Sequence, residues 1–260
     1  MKKKKKPLQG LNVVFIGAGN VAHHLSTAFA EAGATISQTV RKNAKGTTKP
    51  FGKSSITDLK KIKRDADIYV IAVPDDSIAT VAKAMPAVKG TVVHTSGSVA
   101  MDVLKKFKSH GVFYPLQTFS KTRAVTITAY PICIEGSSDQ VTEDLMECAG
   151  GISKNAYLLN SVQREIVHLA AVFANNFSNH MFTIADDILK KNKLSVELIR
   201  PLIIETAFKV MDHTPEDAQT GPAVRGDKKT LLRHDEMLKK DAPNQKMYKK
   251  ITKSITRYSA

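Results

Sequence analysis

The run N-V-V-F-I-G-A-G-N-V-A, Asn12 to Ala22, constrains the fold more than any other stretch. Val13 to Ile16 are four consecutive apolar residues, the pattern of a strand covered on both faces. Gly17, Gly19 and Ala22 then stand in the order G-x-G-x-x-A, and Leu25, Ala28 and Phe29 follow at helical spacing. A strand, a tight glycine turn and a helix together make a site for a nucleotide diphosphate. Gly17 makes the turn, Gly19 lets the backbone approach the pyrophosphate, and Ala22 keeps the helix close to the strand. The helix N-terminus faces the negative charge. Gly17, Ala18, Gly19, Asn20 and Val21 are therefore candidate cofactor-binding residues. The alternative is a glycine turn in an α/β protein that binds nothing; the strand before it and the amphipathic helix after it speak for the site.

The pattern continues as alternating strands and helices. Gly33 sits where a helix C-cap belongs, and Thr35 to Val40 reads as a second strand. Arg41 to Ser55 is polar and loop-like, and Ile56 to Lys63 is expected to be a short helix. Ala66 to Val73 is a continuous apolar run stopped by Pro74, as in a parallel strand. Asp75 or Asp76 can cap the following helix, a role that suits them better than chemistry. Thr91 to His94 is a strand, Met101 to Ser109 a helix, and Gly111 to Tyr114 a short strand. Tyr130 to Glu135, a helix over 138–149 and Lys154 to Leu159 complete the set. The fold class is α/β, a Rossmann-like doubly wound parallel sheet, followed by an all-α second domain. From Asn160, which has capping-box spacing with Gln163, only helices are expected, over 161–190, 195–212, 228–240 and 244–257. The expected organisation is a basic disordered tail over 1–10, the sheet domain over 11–158 and the helical domain over 159–260.

Composition narrows the function classes. A net charge of +15 invites nucleic acid as a partner, but the lysines of Lys2 to Lys6, Lys60 to Arg64 and Lys239 to Lys253 carry no interleaved aromatic platform. A solvated basic surface that favours anionic small molecules is the better reading. No run is long enough to span a membrane, and the charged start is not followed by the apolar core of a secretory signal. Two cysteines, Cys133 and Cys148, suggest a reducing compartment, so the cytoplasm is the expected location. The histidines and cysteines show no metal-ligand spacing, and no metal is expected.

In a site selecting an unphosphorylated dinucleotide, an acid ends the second strand and binds the ribose 2′-hydroxyl. Here the strand ends Q-T-V-R-K, and Arg41 with Lys42 would instead attract a 2′-phosphate, which points to NADP(H). The cofactor would cross the strand ends at Val73, Pro74, Thr95 and Ser96. His168 to Phe182 reads H-L-A-A-V-F-A-N-N-F-S-N-H-M-F. Polar groups buried in such an apolar helix need partners. His168, Asn175 and Asn179 would share one face, with Asn176 and His180 a second pair, so the helix is expected to wall the substrate site. A satisfied polar seam between helices is the alternative. His180 is the candidate proton donor, Asn176 would orient the substrate, and Asn175 and Asn179 would contact it. Tyr114 and Gln117 in F-Y-P-L-Q-T-F-S and Arg225 in T-G-P-A-V-R-G-D complete the substrate candidates. For Tyr114 and Gln117, loop packing is the competing role.

These stretches together resemble a family of NADP-dependent oxidoreductases. F-I-G-A-G-N-V-A-H-H-L, H-T-S-G-S, F-Y-P-L-Q-T-F, F-A-N-N-F-S-N-H and T-G-P-A-V-R-G-D look like its hallmarks. The resemblance covers nearly the whole chain after the lysine tail. It implies an N-terminal Rossmann-like domain and a C-terminal helical domain of unknown function, related to that of 6-phosphogluconate dehydrogenase and commonly used for dimerisation. More distantly, the layout is similar to β-hydroxyacid dehydrogenases, pyrroline-carboxylate reductases and prephenate dehydrogenases. One departure matters: where β-hydroxyacid dehydrogenases carry a catalytic lysine three residues before an Asn-Asn pair, this chain has Val172. Their mechanism does not carry over. The expectation is an NADP(H)-dependent oxidoreductase acting on a small carbonyl or imine substrate that bears a carboxylate, assembled as a homodimer. A non-catalytic NADP(H)-binding sensor is the alternative.

Overall fold

In the computed structural model the described residues are 6–41, 54–120 and 130–258. The apolar runs form the centre of the sheet. β1 (Asn12–Ile16), β4 (Ile68–Ile71) and β5 (Thr91–His94) are parallel neighbours, flanked by β2 (Thr35–Val40) beside β1. Among the described residues eight strands pair in the order β3-β2-β1-β4-β5-β6-β7-β8. β3 is Ser55–Ile56, β6 His110–Pro115, β7 Ile132–Gly136 and β8 Ala156–Leu158. The chain starts at β1 in mid-sheet, runs outward to β3, then returns to β4 on the other side. A crevice opens at the strand carboxyl ends where the order reverses.

Side chains leave β1 alternately toward two apolar layers. Val13 and Phe15 pack with Leu25 and Phe29 of α1 (Asn20–Glu31) and with Leu145 of α3 (Asp139–Gly150). Val14 and Ile16 pack on the opposite face with Tyr69, Ile71 and Ile78, the last from α2 (Asp75–Ala84). Both faces are covered, which is why the central strands read as unbroken apolar runs.

Several local expectations are corrected. β6 and β7 pair antiparallel, so the sheet is parallel-dominated rather than wholly parallel. The helix expected over 56–63 is β3 followed by a single 3₁₀ turn, Leu59–Lys61, started by Asp58 accepting from Lys60 N–H. The helix expected over 101–109 is a 3₁₀ turn at Met101–Leu104. Leu104 and Phe107, three apart, are both buried, and three is the 3₁₀ period. The tail expected over 1–10 does not extend over residues 6–10. Leu8 is buried, and its N–H donates to Ala32 O at 2.9 Å.

The chain divides by its contacts after Asn175, into Met1–Asn175 and Asn176–Ala260, not at 158/159. α4 (Ser161–Ala171) therefore belongs with the sheet. It opens with the expected capping box, Asn160 and Gln163 bonding reciprocally. A π-helical turn, Val172–Phe177, follows. The second unit continues through α5 (Ser178–Lys191), α6 (Arg200–Asp212), α7 (Lys228–Met237) and α8 (Ala242–Tyr258). No described helix is long and apolar enough to cross a membrane.

Candidate active site

The strand ends are stitched together at the crevice. Gly17 N–H donates to Val40 O at 2.9 Å, Ala72 N–H to Ile16 O at 2.8 Å, and Thr95 N–H to Ile71 O at 3.2 Å. Gly17 has φ +118°, and a Cβ there would lie 2.0 Å from Ala72 O, so only glycine fits. Gly19 is the reverse case: a Cβ would meet nothing within 4 Å. It is the N-cap of α1, with no side-chain cap and no acid in the first turn. The helix start is thus open and uncompensated, as an anion site requires.

A cleft of about 1090 Å³ lies over this turn. Nine of the expected cofactor residues line it: Gly17 to Val21, Arg41, Val73, Pro74 and Thr95. Arg41 is half-buried just past β2, its N–H bonded to Ile56 O at 2.8 Å. Asn20 has its side-chain amide committed to Phe119 O at 2.9 Å. Lys42 lies outside the described residues. Ser96 is not on the cleft wall. Its Oγ accepts from Ser98 N–H and Val99 N–H, each at 3.1 Å, which shapes the turn after β5.

Ser77 and Thr80, which sequence reasoning passed over, and Asp75, to which it gave only a capping role, also line the cleft. Asp75 or Asp76 was expected to cap α2; the N-cap is Pro74 with no side-chain cap, and the Asp75 carboxylate instead accepts from Ser98 Oγ at 2.7 Å. Beyond that turn, the Tyr114 hydroxyl meets His168 Nδ1 at 3.1 Å. Tyr114 was an expected substrate residue and His168 only part of a helix face. Gln117, by contrast, is exposed and its Oε1 accepts from Thr118 N–H at 2.7 Å.

A second network joins α4 to the sheet. The buried Arg164 guanidinium pairs with the Glu135 carboxylate and also donates to Val99 O. Ser161 Oγ donates to Glu135 Oε2 at 2.8 Å. Nothing local in the sequence marks these residues, because a lone arginine in an amphipathic helix reads as solvent-facing.

The helix expected to wall the site departs from its premise. Asn175, Asn176, Asn179 and His180 are exposed in the chain, not buried in an apolar face. The π turn lengthens the repeat locally, so the seven-residue spacing of His168 and Asn175 no longer sets them on one face. Asn176, Asn179 and His180 belong to the second unit, as does Arg225, which is exposed in a loop bounded by the positive-φ Gly221 and Gly226. Asp227 caps α7 as expected, accepting from Thr230 N–H at 3.1 Å.

The Rossmann-like domain family matches residues 4–119, and the domain of unknown function DUF2520 matches residues 130–255. Over 96% of this chain and 99% of the other, the structure is similar to that of a candidate NADP oxidoreductase from Bacteroides fragilis, with 35% identity and a TM-score of 0.88. This chain belongs to that family of a Rossmann-like domain joined to a DUF2520 domain. A Thermotoga maritima protein shares the fold at 21% identity and a TM-score of 0.71, covering 95% of this chain and 98% of that one. The pyrroline carboxylate reductase of Plasmodium falciparum, solved with NADP bound, does so at 11% and 0.61, covering 97% and 99%. No curated protein matches the chain.

Proposed function

We propose that this member of the DUF2520 family is an NADP(H)-dependent oxidoreductase that transfers hydride to or from a small carbonyl or imine carbon, in a substrate that bears a carboxylate. The observation that carries the reading is the cleft at the ends of β1, β2 and β4. There an uncapped helix start, a glycine with no room for a side chain and a second glycine with open space stand together. The Bacteroides relative's designation as an NADP oxidoreductase supports the cofactor class. Imine reductases share the fold, and their name is compatible with a C=N substrate.

Within this reading Gly17 to Val21 hold the pyrophosphate with backbone N–H groups. Arg41 receives the 2′-phosphate, and Val73, Pro74 and Thr95 line the path across the strand ends. When bound, the cofactor supplies or accepts the hydride. Titration of the chain with NADPH and NADH tests the reading. NADPH is expected to bind more tightly, and Arg41→Ala to remove most of the difference, roughly tenfold to a hundredfold for a charge-assisted contact. Equal affinities in the parent chain overturn the NADP preference.

A non-catalytic NADP(H)-binding role is the second reading, favoured by valine at position 172. NADPH turnover with a panel of small oxo acids and cyclic imines separates the two.

A further inference from the structure

Tyr114 and His168 are 54 residues apart in sequence, yet their side chains meet beside the cleft. The hydroxyl lies 3.1 Å from Nδ1, and the rings sit edge to face with centroids 6.0 Å apart. Tyr114 lies at the carboxyl end of β6. β6 runs parallel to β5 with His94 opposite Val112, so Tyr114 stands next to the Thr95–Ser98 turn. Gly97 in that turn has no room for a side chain: a Cβ would lie 2.7 Å from His168 Nδ1 and 2.8 Å from Tyr114 Cζ. The turn is tied to the cleft wall through Ser98 Oγ, which donates to Asp75 Oδ2 at 2.7 Å. Both members of the pair are half-buried. Burial first, then the charges of Cys133 and Asp75, pushes the Tyr114 hydroxyl up to about 12, so it keeps its proton near neutral pH.

We propose that Tyr114 is the proton donor of this site and that His168 is the positioning residue that holds and restores its proton. The proposal rests on the oxidoreductase reading and moves the donor from His180 to Tyr114. In the reduction the substrate's C=O or C=N carbon gains a hydride from the reduced nicotinamide. The π pair moves to the heteroatom, which takes the Tyr114 proton, and the O–H bonding pair stays on the tyrosine oxygen. His168 gives its Nδ1 proton to that oxygen while Nε2 takes one from solvent, and proton exchange with solvent, one on at Nδ1 and one off at Nε2, then returns the ring to the Nδ1-protonated tautomer. The net consumption is one hydride and one proton. This order requires His168 to donate from Nδ1 to the tyrosine oxygen, leaving the tyrosine's own proton for the substrate.

Calorimetric titration with NADPH comes first. A wild-type chain that does not bind it overturns the oxidoreductase reading and this proposal with it. Binding followed by failure of either result below overturns the proposal alone. ¹⁵N NMR of the histidine-labelled chain saturated with NADP⁺ is read at His168, whose signal is assigned by its loss in His168→Gln. A proton on Nδ1 is expected. A neutral ring protonated only at Nε2 commits the tyrosine proton to the histidine and overturns the proposal; a purely structural contact does not prescribe the tautomer. With any oxo acid or cyclic imine that turns over, Tyr114→Phe keeps the ring against Gly97. It is expected to lower kcat by about 100-fold or more, with the NADPH Kd within about twofold. Unchanged kcat overturns the proposal, as does loss of kcat in His180→Ala while Tyr114→Phe keeps it. Where no compound of the panel reacts, the NMR result decides.

Discussion

Two glycines two positions apart, Gly17 and Gly19, do opposite work, and single substitutions separate them. Gly17→Ala sets a Cβ against Ala72 O, 2.0 Å away, at φ +118°. The variant is expected to lose about 3 kcal/mol or more of stability, seen as a lower denaturant midpoint, before any ligand is added. Gly19→Ala meets nothing within 4 Å and has φ −74°, so its midpoint should stay at the parent value. Its methyl group would stand where the pyrophosphate approaches, and NADPH affinity should fall by roughly tenfold. His94 gives a pH prediction. It is fully buried, and burial, followed by the Arg164 charge, holds its pKa down to about 4. The unfolded chain takes up this proton near pH 6.5, whereas the folded chain refuses it until about pH 4. The stabilisation is therefore complete above about pH 6.5 and is lost as pH falls toward 4, by up to about 3 kcal/mol. His94→Asn retains an acceptor for Ser96 N–H and should flatten the stability profile across that window. Residues of this kind were legible where chemistry leaves one option. The glycine turn could be read because its geometry tolerates no other residue. Ser96 was placed on the cofactor's path by its position at a strand end, and position alone does not show that its hydroxyl accepts from the turn's own N–H groups.

At the scale of elements, α4 depends on one buried ion pair. Arg164 is 1% exposed and Glu135 14%. Arg164→Ala leaves the Glu135 carboxylate and Val99 O without their guanidinium partner, and should cost about 3–5 kcal/mol in a denaturant melt. The double variant Glu135→Leu with Arg164→Met should lose less, since no uncompensated charge remains. An equal loss in both would show that the pair acts through packing rather than charge. The central strands were legible because burial on both faces writes an unbroken apolar run, as in Ile68–Ile71. β3 was not, because two residues carry no period. Neither was the π turn, since a helical repeat in sequence does not tell a 3.6-residue spacing from a locally longer one. The domain boundary moved for the same physical reason as the ion pair: Arg164 and His168 make contacts 29 and 54 residues back along the chain. No local window contains them.

At the scale of the whole molecule, the second unit has almost no buried core among its described residues. Ala223 is its one buried apolar residue among those described. α6 shows the deficit most clearly: Leu202 is 65% exposed, Ile204 56%, Phe208 63% and Met211 79%. Ile204, Phe208 and Met211 are spaced i, i+4, i+7 and share one face. A helix of 13 residues is marginal in water unless an apolar face is buried. Covering each of these side chains is worth about 1.5–3 kcal/mol. A self-complementary contact between two copies is the commonest way for a chain to cover such a face, and permanent homodimers bury roughly 2,000 Å² or more. The expected assembly is a homodimer built mainly by residues beyond 160. Sedimentation velocity at micromolar concentration should give twice 28.4 kDa. Phe208→Glu puts a charge in the middle of that face. It should move the equilibrium toward monomer and lower the melting temperature of the helical unit, because the same contact supplies both association and core. A parent chain that sediments as a monomer, or a Phe208→Glu chain that stays fully dimeric, would rule out α6 as the interface.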